Sequence, residues 1–367
     1  MKAWVLHGIN DIRYEELGRP EPKPDEVLVE VKAAGICGSD VPRVYETGAH
    51  NMPLTPGHEF SGLVRETGEG ADPALKGKRV GIYPLIPCGK CRPCREGHPE
   101  TCRSYDYLGS RRDGGFAEYV AVPVDNLIEL PDSVSFEEAA MLEPMAVAVH
   151  AMKMGIGKDG DALKQDAKIA VCGLGTIGLL LTMFIKASGY ANVFVIGNKD
   201  SQRERAASFG IGDGYFCDSR TMDPAAWLNG SVGGVDAYFE CVGKNESLSY
   251  GINGTGPGGR IVFLGNPYSD MALDRDTYWK ILRNQLTIRG SWNSAFYPKG
   301  SNSNRADDWS YVLGELKDKK LSPSSLISHR LGFDELEKGL RLMREKREER
   351  CKVMLVRQGN YKAVGRE

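Results

Sequence analysis

From Ala167 onward the chain alternates apolar runs with helix-like stretches, and no other feature restricts its fold as tightly. "AKIAVCGLG" is an apolar run ending in glycines, and "TIGLLLTMFIKASG" is a helix pattern stopped by a glycine. "ANVFVIG" is a second run, and "DSQRERAASFG" a second helix with Gly210 as its stop. "VDAYFECVG" and "GRIVFLGNP" repeat the strand pattern. Strands and helices alternating at this spacing predict βαβ units and a parallel sheet.

Between the first run and the first helix, "GLGTIG" sets Gly173, Gly175 and Gly178 in a G-x-G-x-x-G spacing around Thr176 and Ile177. Glycines there permit a tight turn and let the backbone approach a pyrophosphate. The helix N-terminus adds free N–H groups and the positive end of its dipole. These five residues are the expected dinucleotide-binding turn. An acidic residue that reads the ribose hydroxyls is expected about 20 residues further on. The strand tip instead reads Gly197, Asn198, Lys199, with Arg203 beyond. A glycine leaves room for a 2′-phosphate, and Lys199 or Arg203 can meet its charge. NADP(H) is therefore favoured over NAD(H); the alternative is that Asp200 reaches back to the ribose.

The first third of the chain is different. "EVLVEVKAAGIC" alternates like a half-buried strand, and "HEFSGLVRETGEG" and "GKRVGIYPLIP" read similarly. "GGFAEYVAVPVDNLIELP" reads as two strands with proline breaks. Many short strands predict a barrel or sandwich. Near Ser135 the pattern turns helical, with Ser135 and Glu138 spaced for a capping box. The segment "WSYVLGELKDKKLSPSSLISHRLGFDELEKGLRLMREK" reads as helix, turn, short strand, helix.

A length of 367 residues points to two domains. With 47 Lys plus Arg against 49 Asp plus Glu, the formal charge is −2, which argues against a nucleic-acid or membrane partner held by bulk charge. No apolar run approaches membrane-spanning length. The start "MKAWVLHGINDIRYEE" becomes charged too soon for a signal peptide. The cytoplasm is the expected compartment. Disulfides are rare there, so clustered cysteines read as metal ligands or catalytic groups.

Four of the nine cysteines, Cys88, Cys91, Cys94 and Cys102, fall in "PCGKCRPCREGHPETC" with spacing C-x2-C-x2-C-x7-C. Four thiolates so placed can wrap one tetrahedral zinc and leave no position for substrate. An iron–sulfur cluster is the competing occupant; structural zinc is favoured. Pieces of a different site are scattered along the chain: Cys37 in "AGICGSD", His58 and Glu59 in "PGHEF", and Glu143 in "LEPMAVAVHA". A cysteine, a histidine and a carboxylate can hold zinc with one position open, and zinc acidifies a hydroxyl bound there. Spacing alone does not join residues so far apart. A nonenzymatic metal or redox sensor is the contrasting class, and it needs neither an open donor set nor a dinucleotide turn.

"GHEFSG", "CGSD", the four-cysteine lobe and "GLGTIG" occur in the order seen in the zinc-dependent medium-chain alcohol and polyol dehydrogenases, which the chain resembles over nearly its whole length. The resemblance implies an α/β protein with a GroES-like β-barrel catalytic domain over residues 1–150, completed by about 291–367. A Rossmann doubly wound parallel sheet is implied over 151–290. It implies two zinc ions per subunit, one structural on the four cysteines and one catalytic on Cys37 and His58. Glu143 or Glu59 completes the catalytic set, Glu143 being preferred. Ser39 is the implied proton acceptor, Glu59 an implied catalytic group, and a homodimer or homotetramer the implied assembly. "CGSDVPRVYETGAH", "YLGSRRDGGFAEY" and "WKILRNQLTIRGSWN" further resemble the polyol-phosphate branch, of the type that oxidises galactitol 1-phosphate to tagatose 6-phosphate. Arg43, Arg111 and Arg112 are then candidates for the substrate phosphate. An unphosphorylated, sorbitol-like polyol or L-threonine is the alternative substrate. Two departures stand out. Pro42 occupies a position where many relatives have a proton-relaying histidine, and Gly197 one where the polyol-phosphate enzymes carry an NAD-reading aspartate.

Overall fold

The computed structural model describes residues 1–157, 159–298 and 307–357; the remainder of the expected C-terminal part of the catalytic domain, residues 299–306 and 358–367, lies outside them. Contacts divide the chain into two units.

The first unit comprises Met1–Glu143 with described residues of the segments that start at Phe296 and Ser322. β1 (Lys2–Gly8) and β2 (Asp11–Glu16) form an antiparallel pair. β3 (Glu26–Ile36) is the spine of a seven-stranded sheet. One edge of β3 carries β4 (Glu59–Thr67), which leads to β5 (Arg79–Ile82). β6 (Leu85–Ile86) and β7 (Asp106–Tyr107) pair with each other and close the base of the four-cysteine lobe. β8 (Tyr119–Pro123) pairs with the first half of the other edge of β3, and β9 (Leu127–Glu129) with β5.

The sequence of β3 suggests a half-buried strand, yet every residue but Lys32 is buried. The strand is paired on both edges and packed on both faces. Its inward carboxylates need partners, since burying a lone charge is costly. Glu30 bonds Lys32 (2.6 Å) and Arg65 (2.6 Å), and Glu26 bonds Arg112 (2.6 Å).

The second unit is built on a six-stranded, wholly parallel sheet. Its strands are β10 (Ile169–Cys172), β11 (Val193–Gly197), β12 (Phe216–Asp218), β13 (Val235–Glu240), β14 (Thr255–Phe263) and β15 (Thr287–Gly290). Their order is β12-β11-β10-β13-β14-β15, the doubly wound arrangement that the alternating pattern predicts. The pattern reveals β10, β11, β13 and β14 but not β12 or β15. Both are short, and β15 is an exposed edge strand without an apolar run.

The expected helix after Ser135 is two helices, Phe136–Ala140 and Leu142–Ile156. The first opens on the anticipated capping box: Ser135 Oγ accepts from Glu138 N (3.2 Å), and Glu138 Oε2 accepts from Ser135 N (2.8 Å). Contacts divide the chain at Glu143–Pro144 rather than at residue 150, and the helix Asp308–Lys317 groups with the parallel sheet. The reason is a buried ionic knot. Asp308 receives hydrogen bonds from His150 (2.8 Å) and Lys153 (2.7 Å), which ties that helix to Leu142–Ile156. Two later strands, β16 (Ile327–Leu331) and β17 (Lys352–Val356), complete the seven-stranded sheet, with β17 on the second half of the free edge of β3.

Candidate metal and cofactor sites

Two strand ends bring the scattered metal donors together. Cys37 follows the last residue of β3, His58 precedes β4, and Glu59 opens β4 opposite Gly35. Ligand atoms of Cys37, His58 and Glu59 lie within 4.8 Å of one another. His58 and Glu59 are buried. Lys352 opens β17, next to the Val353–Ile36 pair, and its ammonium bonds Glu59 and the Ile36 carbonyl (3.2 Å). Gly35 leaves room for this pair, since a Cβ there would push on the Glu59 carboxylate and the Lys352 side chain. Sequence reasoning missed Lys352, which has no local signal. It also missed Asp40, although "CGSD" contains it. Asp40 is wholly buried; its Oδ2 accepts from Cys37 N (2.9 Å), and its Oδ1 lies 3.6 Å from His58 Nδ1. It fixes the cysteine loop and lies beside the imidazole, beyond hydrogen-bond reach of Nδ1.

Glu143 stands apart from that compact donor set. Its Oε1 accepts a hydrogen bond from the Tyr107 hydroxyl (3.2 Å), and the Tyr107 ring lies 6.0 Å from that of His58. The preference for Glu143 as the third donor is thus reversed in this conformation: Glu59 sits with Cys37 and His58. Ser39, at the start of the short Asp40–Pro42 helix, makes no side-chain capping bond there.

The electrostatics fit a divalent cation at this donor set. Burial pushes the Cys37 thiol up to about 12, reinforced by Glu59 and Asp40. Burial likewise pushes Glu143 up to about 7; Glu59 adds to this while His58 opposes it. His58 Nδ1 is buried without a hydrogen-bond partner. A thiol, an imidazole and a carboxylate are donors zinc accepts, and a cation among them relieves the crowding of negative charge. Burial disfavours the Lys352 ammonium, but Glu59 and Cys37 hold its pKa above the ordinary lysine value.

In the lobe, the four sulfurs lie within 4.8 Å of one another, with Cys91 Sγ 3.4 Å from Cys94 Sγ and 3.8 Å from Cys102 Sγ. Backbone N–H groups of Cys88 and Cys91 point at neighbouring sulfurs (3.3 and 3.4 Å). Backbone bonds from Arg103 and Cys94 pull the Cys91 thiol down to about 6, and burial pushes Cys94 up to about 12. None of the nine cysteines is in a disulfide. The lobe is a closed four-sulfur cage suited to structural zinc.

In the second unit, Gly173 has φ +94°, a conformation L side chains rarely adopt, and a Cβ on Gly178 would strike the Gly173 carbonyl. Gly175 caps the helix Thr176–Ala187, so Thr176, Ile177 and Gly178 form its first turn. β11 ends at Gly197, and Lys199 caps the next helix with Asp200 already inside it. The surprise is Gln202. Its Oε1 accepts from Asn198 N (2.9 Å), and its Nε2 donates to the Leu174 carbonyl (3.2 Å). An amide thus ties the glycine turn to the β11 tip where a carboxylate was expected. Arg203 does not stand ready for a phosphate, as the sequence reading supposed. It pairs with Asp213 (3.0 Å) and lies over the Phe216 ring. Arg220, which that reading overlooked, pairs with Asp218 (2.6 Å) and Asp200 (2.5 Å) beside the tip.

Two substrate-phosphate candidates also change role. Arg43 pairs with Asp40 (2.5 Å) and Arg112 with Glu26 (2.6 Å), so both charges are balanced within the fold. Arg111 lies over the Tyr105 ring, 4.3 Å from its centroid.

Comparison with known proteins agrees with this architecture. Residues 23–132 match the family "Alcohol dehydrogenase GroES-like domain", and residues 176–309 match "Zinc-binding dehydrogenase". The chain belongs to the zinc-dependent medium-chain alcohol and polyol dehydrogenases, and it is an oxidoreductase. Within that family it is 33% identical to galactitol 1-phosphate 5-dehydrogenase of Escherichia coli K12, over 93% of this chain and 96% of the relative. L-threonine 3-dehydrogenase of Bacillus licheniformis is 32% identical over 89% and 91% of the two chains. The crystal structure of the Escherichia coli galactitol-1-phosphate dehydrogenase superposes with a TM-score of 0.86 at 33% identity, covering 97% of this chain and 100% of that one. A zinc-binding dehydrogenase from Sinorhizobium meliloti bound to NADP and an Escherichia coli CFT073 alcohol dehydrogenase complexed with NADH each give 0.85 at 28% identity, over 97% and 99% of the chains. No described helix is long and apolar enough to cross a membrane.

Proposed function

We propose that the protein catalyses reversible oxidation of a secondary alcohol of a polyol phosphate, of the galactitol 1-phosphate to tagatose 6-phosphate type, with NADP(H) preferred to NAD(H). The carrying observation is the convergence of Cys37, His58 and Glu59 at the ends of β3 and β4, beside the ion pair from β17. When bound, zinc supplies a Lewis acid that acidifies the substrate hydroxyl, and the nicotinamide is the hydride acceptor. Cys37, His58 and Glu59 hold the metal, and Glu143 is the neighbouring carboxylate able to exchange with Glu59. Asp40 holds the Cys37 loop and places a negative charge beside His58. Ser39 receives the substrate proton and passes it toward solvent, a route that takes the place of a histidine at Pro42. Cys88, Cys91, Cys94 and Cys102 hold a second, structural zinc.

Gly173, Gly175, Thr176, Ile177 and Gly178 seat the pyrophosphate. At the β11 tip Gly197 stands where a carboxylate was expected, which supports NADP(H), with Asn198 and Lys199 as the polar and cationic groups at the ribose end; Arg203 and Arg220 are each paired with carboxylates. The polyol-phosphate reading draws on the similarity to galactitol 1-phosphate 5-dehydrogenase. The similarity to L-threonine 3-dehydrogenase favours a second reading, oxidation of an unphosphorylated amino alcohol. The exposed edge strand β15 and nearby Tyr278, Trp279, Leu282 and Trp292 support self-association as a homodimer or homotetramer. Nine cysteines outside disulfides suit the cytoplasm. Initial rates for galactitol 1-phosphate, galactitol, sorbitol and L-threonine, each with NAD and NADP, test the proposal. Faster turnover of threonine than of any polyol would refute the substrate class, and a strong NAD preference would refute the cofactor assignment.

A further inference from the structure

We propose that Arg111 and His50 form the clamp that receives the phosphate of the substrate; the inference rests on the polyol-phosphate reading above. Of the three arginines that the sequence offers for this role, Arg43 and Arg112 are spent on buried carboxylates. Arg111 has no carboxylate partner among the described residues. Its contacts are long ones: Nη1 to the Tyr105 carbonyl (3.4 Å) and Nη2 to His50 Nε2 (3.4 Å). Its Nε is buried with no hydrogen-bond partner. A half-buried guanidinium with unused donors is a poor structural device and a good anion receptor, because its planar fork matches two phosphate oxygens.

The position is fixed relative to the metal donors. Arg111 sits on the loop after β7, with its N–H bonded to the Tyr107 carbonyl (2.9 Å). That loop lies directly on the strand entry that carries His58. Gly114 N bonds Thr55 O (2.8 Å), Phe116 N bonds Pro56 O (3.0 Å), and Gly115 N bonds Gly57 O (2.7 Å). A Cβ at Gly109 or Gly114 would strike the Gly57 backbone, so the two segments touch main chain to main chain. On the other side, Asn51 Nδ2 donates to the Arg111 carbonyl (3.2 Å), which holds His50 beside the guanidinium. A run of ring contacts leads from the guanidinium to His58. Tyr105 lies under Arg111 and meets Tyr107 edge-on at 6.1 Å, and Tyr107 reaches Glu143. One tyrosine pair therefore separates the unsatisfied cation from the donor set. That layout suits a substrate whose anionic group lies a few carbons from the reacting hydroxyl.

The readout is the ratio of kcat/KM for galactitol 1-phosphate over galactitol. Arg111→Gln is expected to lower this ratio roughly 10- to 100-fold, the worth of one or two charge-assisted hydrogen bonds. Arg111→Lys should recover part of the loss, since a point charge replaces the fork, and His50→Ala should lower the ratio less than Arg111→Gln. Inorganic phosphate should inhibit wild type competitively with the polyol, and this inhibition should weaken in Arg111→Gln. Zinc content and melting temperature establish that each variant is folded. An unchanged ratio in folded Arg111→Gln overturns the clamp and leaves the polyol-phosphate reading standing. A wild type with no preference for the phosphorylated polyol overturns that reading and the clamp with it.

Discussion

The lobe between β6 and β7 gathers four thiols from Cys88 to Cys102, while the other donor set draws Cys37, His58 and Glu59 from the ends of two long strands. In the lobe, short loops aim backbone N–H groups at the sulfurs, and three of the four cysteines are half-buried while Cys102 is buried. Its charge is stabilised locally, and a metal there is folding energy. At the strand ends the donors sit among buried carboxylates, and the balancing cation, Lys352, comes from the far end of the chain. Four like donors close a cage, whereas three unlike donors leave a position open. On the function proposed above, the dense cysteines mark a staple and the mixed donors at strand ends mark the chemistry.

The comparison breaks first on Cys37→Ser. It should remove one of two zinc equivalents and lower turnover by roughly three orders of magnitude or more, as several kcal/mol of charge stabilisation are lost. Dinucleotide binding, measured by fluorescence titration, should persist; near-normal turnover would show that the open site is wrongly placed. Cys91→Ser should act on the fold instead. Its melting temperature should fall by roughly 5–10 °C, at about 2–4 °C per kcal/mol, with turnover of the folded fraction largely kept. A stable but inactive Cys91 variant would contradict the division of labour.

Lys352→Met should cost about 3–5 kcal/mol in zinc-stripped protein, because Glu59 is left buried without a cation. Zinc should shrink that penalty, and denaturant titrations with and without the metal measure both. Equal penalties would mean that the ammonium and the metal do not share Glu59. The smallest expected effect separates the carboxylates. Glu143→Gln should weaken zinc binding by at most about 10- to 100-fold, the usual range for a group supporting the ligands. Glu59→Gln should weaken it more, and the reverse order would restore Glu143 as the resting donor.

Much of this architecture is legible in the sequence, for identifiable reasons. Glycines at Gly173, Gly175 and Gly178 and the strand–helix alternation report local geometry, so the parallel sheet and its turn can be read directly. The four-cysteine lobe is legible because its ligands are close in the chain. Lys352 and Tyr107 are not, since their roles exist only once β17 lies beside β3 and β7 beside β6. The charges misled for the same reason. Arg43, Arg112 and Arg203 look available in one dimension, but Asp40, Glu26 and Asp213 claim them in three. Gln202 carries no signal until the β11 tip and the glycine turn meet.

The placement of β17 has a consequence for biosynthesis. The strand that supplies Lys352 lies against β3, a separation of 316 residues between Lys352 and the Ile36 carbonyl it bonds. A nascent chain can present Cys37, His58 and Glu59 long before that strand is translated, but it cannot yet neutralise Glu59. The lobe can load its ion early, from ligands that emerge together. The open donor set is finished only once β17 has left the ribosome, so products truncated before that strand should carry the four-cysteine lobe without the Lys352 partner of Glu59.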